Sequence, residues 1–258
     1  MIAAGDIAAC DVETDSATAT LVAELDGTLV ALGDLVYPAG TDQTFAQCYD
    51  PVWGQFRDRT RPVLGNHDLQ ADGGTAYFRY FGDAAGTPGE GWYSFDVGDW
   101  HALALNSNCE LIACGPGSAQ HAWLVADLAA NPTTCTLAYM HHPRFSSGLH
   151  GDYPPVGPLW EALDAAGVDV LLVGHDHMYE RFAPQAATGA ADAAGIRQFT
   201  VGTGGYVLYQ QQRVAPNSEV VIDDVHGVLV MTLEPASYRW SFVMTDGTEL
   251  DSGEAACG

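Results

Sequence analysis

Four short apolar runs in this 258-residue chain each end on a glycine followed by a polar residue: MIAAGD at 1–6, LVALGD at 29–34, PVLGN at 62–66 and DVLLVGH at 169–175. Few architectures accept that pattern. Runs this short and this uniformly apolar read as strands buried on both faces, and the closing glycine lets the chain turn sharply at the strand's carboxyl end. The run LAYMH at 137–141 ends the same way without the glycine, and 92–97 with 100–107 reads as a hairpin turning at Gly98 and Asp99.

Helical spacing of apolar residues between these runs predicts helices over 16–25, 118–130 and 158–166. Beyond residue 195 the character changes to RQFTVGTGG, GVLVMTLE and YRWSFVMTDG, which read as successive strands. Alternating strands and helices followed by strands predict a single α/β domain over 1–258, its β-rich C-terminal part completing a second sheet. The GTGG at 202–205 lacks the lysine and the helix of a phosphate-cradling loop and reads as a tight turn. Trp92, Trp100, Trp123, Trp160 and Trp240 lie in apolar periodic segments and read as core; Trp53 has no such context.

Charge and cysteine usage narrow the partners. Thirty-three Asp and Glu stand against nine Arg and no Lys, a formal net charge of -24, so no nucleic-acid partner is expected: no basic stripe exists to release phosphate counterions. No stretch is apolar for long enough to span a bilayer, so no membrane partner is expected either, and the sequence carries no marker of oligomeric state. The six cysteines form no CxxC pair or zinc-knuckle spacing, which favours disulfides and an oxidising compartment, secreted or periplasmic. Only Cys109 with Cys114, sharing one short loop, is suggested as a pair by proximity. The opening MIAAGD lacks a basic n-region and a cleavage site, so an export signal is expected outside this sequence.

The strand ends present Asp6, Asp34, Asn66, His141 and His175, all oxygen or nitrogen donors. Any one of them reads as a turn residue or helix cap. Together they point to a ligand site, because in open α/β sheets residues at the carboxyl ends of strands converge although they are far apart in the chain.

Five blocks in the same order resemble the calcineurin-like metallophosphoesterase superfamily, specifically its purple acid phosphatase type: Gly5-Asp6, GDLVY at 33–37, GNHD at 65–68, YMHHP at 139–143 and GHDHMYER at 174–181. The resemblance covers about residues 1 to 205 and implies a four-layer αββα sandwich of two mixed β-sheets flanked by helices. It also implies two metal ions, one held by Asp6, Asp34, Tyr37 and His177, the other by Asp34, Asn66, His141 and His175, with Asp34 as the bridge. A phenol such as Tyr37 binds metal well as phenolate, which points to Fe(III) there, with Zn, Fe or Mn as the second, divalent ion. His142 follows His141 directly, so either could be the ligand; alignment with the last strand residue before the proline turn selects His141.

The implied reaction is hydrolysis of small phosphomonoesters by attack of a metal-bound hydroxide, with a phosphodiesterase or nucleotidase activity, or a non-catalytic metal-binding scaffold, as alternatives. His67 resembles the histidine that contacts a phosphate oxygen and protonates the leaving group, and His150, in SSGLHGD, matches a second substrate histidine more loosely. Asp68 is expected either to orient His67 through its ring nitrogen or to cap the following turn. Asp176, between the two ligand histidines, is expected to face away from the site with Arg181 as its partner.

Overall fold

The computed structural model describes residues 1–258, and its sheets explain the apolar runs. In strand Ile2–Ala4, Ile2 and Ala4 pack against one apolar cluster and Ala3 against another; in Leu29–Ala31, Leu29 and Ala31 separate from Val30 in the same way. Each strand therefore serves two interfaces, which is why its sequence does not alternate with polar residues. These two strands and Thr60–Pro62 run parallel, in register Ile2↔Leu29 and Leu29↔Thr60.

The second sheet has seven strands, in the order Ser218–Ile222, Tyr179–Phe182, Arg197–Val201, Val170–Val173, Cys135–Tyr139, Trp100–Ala104 and Tyr93–Val97. Leu137, Tyr139, Val170 and Leu172 face the first sheet, while Ala138, Leu171 and Val173 face outward under the helices Ala119–Ala130 and Gly157–Ala165. The outer face of the first sheet is covered by helix Thr14–Ala23 and by aromatic residues of 45–81, among them Phe45, Tyr49, Trp53 and Phe81. The result is the four-layer αββα arrangement with a shared core between its sheets. Each fully buried Leu or Val in it contributes about 1.5–3 kcal/mol.

The three expected helices form within two residues of their predicted bounds, and Ser118 caps the second by accepting the His121 backbone N–H at 3.2 Å. The expected hairpin also forms, pairing Val97 with Trp100. Trp53 is wholly buried, its indole N–H donating to the Asp15 carbonyl at 3.0 Å. One expectation needs correction: of the C-terminal strands, only Arg197–Val201 and Ser218–Ile222 complete the second sheet. Gly227–Glu234, Ser237–Met244 and Glu249–Ala256 extend the first. The physical reason is the open edge of Ile2–Ala4, which Gly227–Glu234 covers by antiparallel pairing of Ile2 with Val230. All six cysteines are paired, as Cys10–Cys48, Cys109–Cys114 and Cys135–Cys257.

Candidate metal centre

Where the parallel strands end, the backbone turns abruptly. Asp6, Asp34 and His175 adopt left-handed conformations, with φ of 59°, 49° and 71°, each following a glycine. That conformation costs about 1–2 kcal/mol for an L-residue, and here it swings each side chain inward instead of continuing the strand. Space for the turn is made by small neighbours. A Cβ at Gly65 would stand 2.0 Å from Asp34 Oδ1, and one at Gly33 2.7 Å from the His141 ring.

All seven expected donors meet in one place. Tyr37 Oη is 2.8 Å from Asp6 Oδ1, 3.1 Å from Asp34 Oδ2 and 3.1 Å from His177 Nε2. His141 Nε2 is 3.3 Å from Asp34 Oδ2, 3.2 Å from Asn66 Oδ1 and 3.2 Å from His175 Nδ1. Asp34 thus touches both groups through one oxygen. Its other oxygen accepts the His67 backbone N–H at 2.7 Å, and the second Asp6 oxygen accepts that of His175 at 2.9 Å.

Backbone carbonyls set the histidine tautomers. His141 Nδ1–H donates to Leu32 O at 2.8 Å and His177 Nδ1–H to Val207 O at 2.5 Å, so each ring turns its Nε2 inward. His67 follows the same rule, donating from Nδ1 to Pro38 O at 2.6 Å, and its Nε2 lies 4.0 Å from Asp34 Oδ2. Of the two roles open for Asp68, the geometry supports the cap and not the orientation of His67. The Asp68 carboxylate accepts the backbone N–H groups of Gly65 at 2.9 Å and Leu35 at 3.1 Å, capping the turn after one strand and fastening it to the next. The expected pairing of Asp176 with Arg181 does not form: Asp176 accepts the His150 backbone N–H at 2.8 Å and the Ser146 hydroxyl, while Arg181 pairs with Asp251 and Glu219. Asp251 lies on a strand that the sequence reading did not identify, so its claim on Arg181 was invisible there.

The electrostatics suit a cation. Burial opposes ionisation of Asp34 and Asp6, but His141 beside the first and His177 beside the second hold both carboxyls below their usual range. His141, despite burial, is raised to about 9 by Asp34. Burial and three neighbouring imidazoles push His175 down to about 2, leaving it neutral. Burial together with Asp34 and Asp6 drives the Tyr37 phenol well above its ordinary value. Buried carboxylates, inward-facing imidazole nitrogens and a buried phenol form a hard, all-oxygen-and-nitrogen donor set that fits divalent and trivalent ions, and no thiolate is free to compete.

Asn66, His67 and His175 are half-buried and His150 is exposed, which marks the open side. The His150 ring lies 4.3 Å from that of His175. His142 is brought close as well, its ring 4.5 Å from that of His175, yet its Nδ1 is bonded to Ser107 Oγ at 2.9 Å. Ser107 already accepts the backbone N–H groups of His141 and His142, so its hydroxyl proton goes to His142 Nδ1. Sequence reasoning passed over Ser107, although the run WHALALNS ends in polar residues as the other strands do.

A sequence profile described as calcineurin-like phosphoesterase matches residues 2–179. A probable purple acid phosphatase of Arabidopsis thaliana is 28% identical over 238 residues, covering 80% of this chain and 54% of the relative. A purple acid phosphatase from yellow lupin (Lupinus luteus) seeds superposes with a TM-score of 0.80 at 18% identity, over 99% of this chain and 53% of the other. GAP50, the anchor in the inner membrane complex of Plasmodium, superposes with a TM-score of 0.77 at 16% identity, over 100% of this chain and 88% of the other. The chain spans about half the length of the Arabidopsis relative.

Proposed function

The chain belongs to the calcineurin-like phosphoesterase family, and from that premise we propose that it hydrolyses small phosphomonoesters at a centre of two metal ions. The observation that carries the proposal is the convergence of seven oxygen and nitrogen donors at the strand ends. Asp6, Tyr37 and His177 would hold one ion, Asn66, His141 and His175 the other, and Asp34 both. Tyr37 favours Fe(III) at the first position, since a strongly polarising cation is needed to strip a phenol raised by burial and two carboxylates; Zn, Fe or Mn suits the second. Such a pair supplies polarisation of water and of the phosphoryl oxygens.

The chain's own residues do the remaining work. His67, its Nδ1–H committed to Pro38, would in its doubly protonated form donate from Nε2–H to a phosphoryl oxygen and pass that proton to the leaving alkoxide. His150, exposed beside His175 on the open side, would bond the substrate there. A net charge of -24 disfavours polyanionic substrates, and three disulfides fit a secreted or periplasmic setting.

A non-catalytic scaffold is the second reading, supported by the fold's occurrence in a protein described as an anchor; the full donor set favours the enzyme. Turnover of a chromogenic phosphomonoester by metal-loaded protein tests the choice. His67→Ala is expected to lose about 100-fold or more in rate while keeping its metals. An unchanged rate would remove His67 from the reaction, and a metal-loaded wild type without turnover would favour the scaffold. The ratio of monoester to diester rates separates phosphatase from phosphodiesterase.

A further inference from the structure

Residues 206–209, just past the GTGG turn, touch the site in a way the proposed chemistry has not used. The Tyr206 ring stacks on that of Tyr37, with centroids 3.8 Å apart and planes 10° from parallel. The Tyr209 ring stacks on that of His177 at 4.0 Å and 11°. Between them, the Val207 carbonyl accepts the His177 Nδ1–H at 2.5 Å.

The segment is itself fastened down. Gly204 N–H donates to Gly5 O at 2.9 Å, Tyr206 N–H to Asp6 O at 3.0 Å and Tyr209 N–H to His177 O at 3.0 Å. His226 Nε2–H donates to the Tyr206 carbonyl at 2.8 Å. The glycines permit the approach: a Cβ at Gly204 would stand 2.5 Å from Gly5 O, and one at Gly202 2.2 Å from Asp176 O. At the site these contacts fall on Asp6, Tyr37 and His177, three of the four donors of one ion position, and none falls on Asn66 or His175, although the Tyr209 ring also lies 5.6 Å from that of His150.

We propose that 206–209 is an aromatic strap fixing the ring planes of Tyr37 and His177, which makes Tyr206 and Tyr209 positioning residues for that one ion position. A donor ring left free to turn must be ordered when the ion binds, and loss of groups that orient metal ligands costs about 10–100-fold in affinity. The inference rests on the two-ion reading above.

The test uses the full chain reconstituted with Fe(III) and Zn(II), or with Zn(II) alone, read by visible absorption and by ion release into a chelator. Tyr206→Ala is expected to shift the absorption arising from Tyr37 on iron. Both Tyr206→Ala and Tyr209→Ala are expected to release one ion about 10-fold faster or more, with release of the other unchanged. Tyr206→Phe and Tyr209→Phe keep the ring and are expected to hold that ion as the wild type does. Should the Ala variants fail to fold, Tyr206→Leu and Tyr209→Leu supply the same comparison with apolar volume retained. Folded Ala or Leu variants that release both ions at the wild-type rate overturn the strap, as do Phe variants that lose the ion as readily as Ala ones. A wild type that takes up no ion overturns the two-ion reading instead.

Discussion

At Asp6, Asp34 and His175 the left-handed backbone turns a strand into a side-chain mount, and the glycine before each is the part of that device a sequence displays. Asp6, Asp34, Asn66 and His175 were legible for this reason, since glycine followed by a polar residue at a strand end is a local signal, whereas Tyr37 and His177 were assigned only through the family resemblance. The groups that orient the histidines were not legible, because Leu32, Pro38 and Val207 contribute backbone carbonyls, which every residue carries. For Asp68 the sequence left two roles open, and only the positions of Gly65 and Leu35 decide for the cap. Gly65 is the sharpest single test at this scale. Its backbone is extended and would suit alanine, but the added Cβ would lie 2.0 Å from Asp34 Oδ1. Gly65→Ala is expected to destabilise the protein by about 1–3 kcal/mol and to lower its metal content. Gly115→Ala, with nothing within 4 Å of the new Cβ, is expected within about 0.5 kcal/mol of wild type. Urea midpoints with elemental analysis measure both, and equal behaviour of the two would refute the packing argument.

Among the elements, the hairpin Tyr93–Val97 and Trp100–Ala104 is fastened to helix Ala119–Ala130 by buried His101, whose Nδ1 lies 2.9 Å from Asp96 Oδ1 and whose Nε2 lies 2.7 Å from Asp127 Oδ2. Burial opposes its protonation, but the bonds to Asp96 and Asp127 prevail and raise it above its ordinary value. Its folded value exceeds the unfolded one, so the stabilisation is complete below about pH 6.5 and fades as pH rises through the folded value. His101→Gln is expected to remove this part of the pH dependence; unfolding midpoints of both proteins from about pH 6 to about pH 9 would run parallel if His101 carried no proton. Elements with a clear period were legible, including this hairpin and the helices Ala119–Ala130 and Gly157–Ala165. Ser218–Ile222 and Glu249–Ala256 were missed, the second because an edge strand spelled ELDSGEAA carries exposed polar residues and no apolar run. The short helical turns through 42–59 were missed as well, since no single turn is long enough to display a period.

On the scale of the whole molecule, two sheets share one core and present their strand ends to a common rim, so the donors' positions depend on how the sheets are held together. Cys135–Cys257 links the first residue of a strand in one sheet to the residue just beyond the last strand of the other, across a sequence separation of 122. This pairing was not legible, because six cysteines allow fifteen arrangements and only the fold brings these two together. A bridge closing so long a loop restricts the unfolded chain strongly, and Cys135→Ser with Cys257→Ser is expected to cost about 2–4 kcal/mol, read from urea midpoints under oxidising conditions. No loss would mean that the bridge adds nothing to the packing between the sheets. The account as a whole stands on two cations sharing Asp34, and anomalous diffraction from crystals of the metal-loaded protein tests that most directly. The predicted result is two peaks about 3.5–4 Å apart, one beside Tyr37 and His177 and the other beside Asn66 and His175, with Asp34 between them; a single peak, or none among these residues, would contradict it.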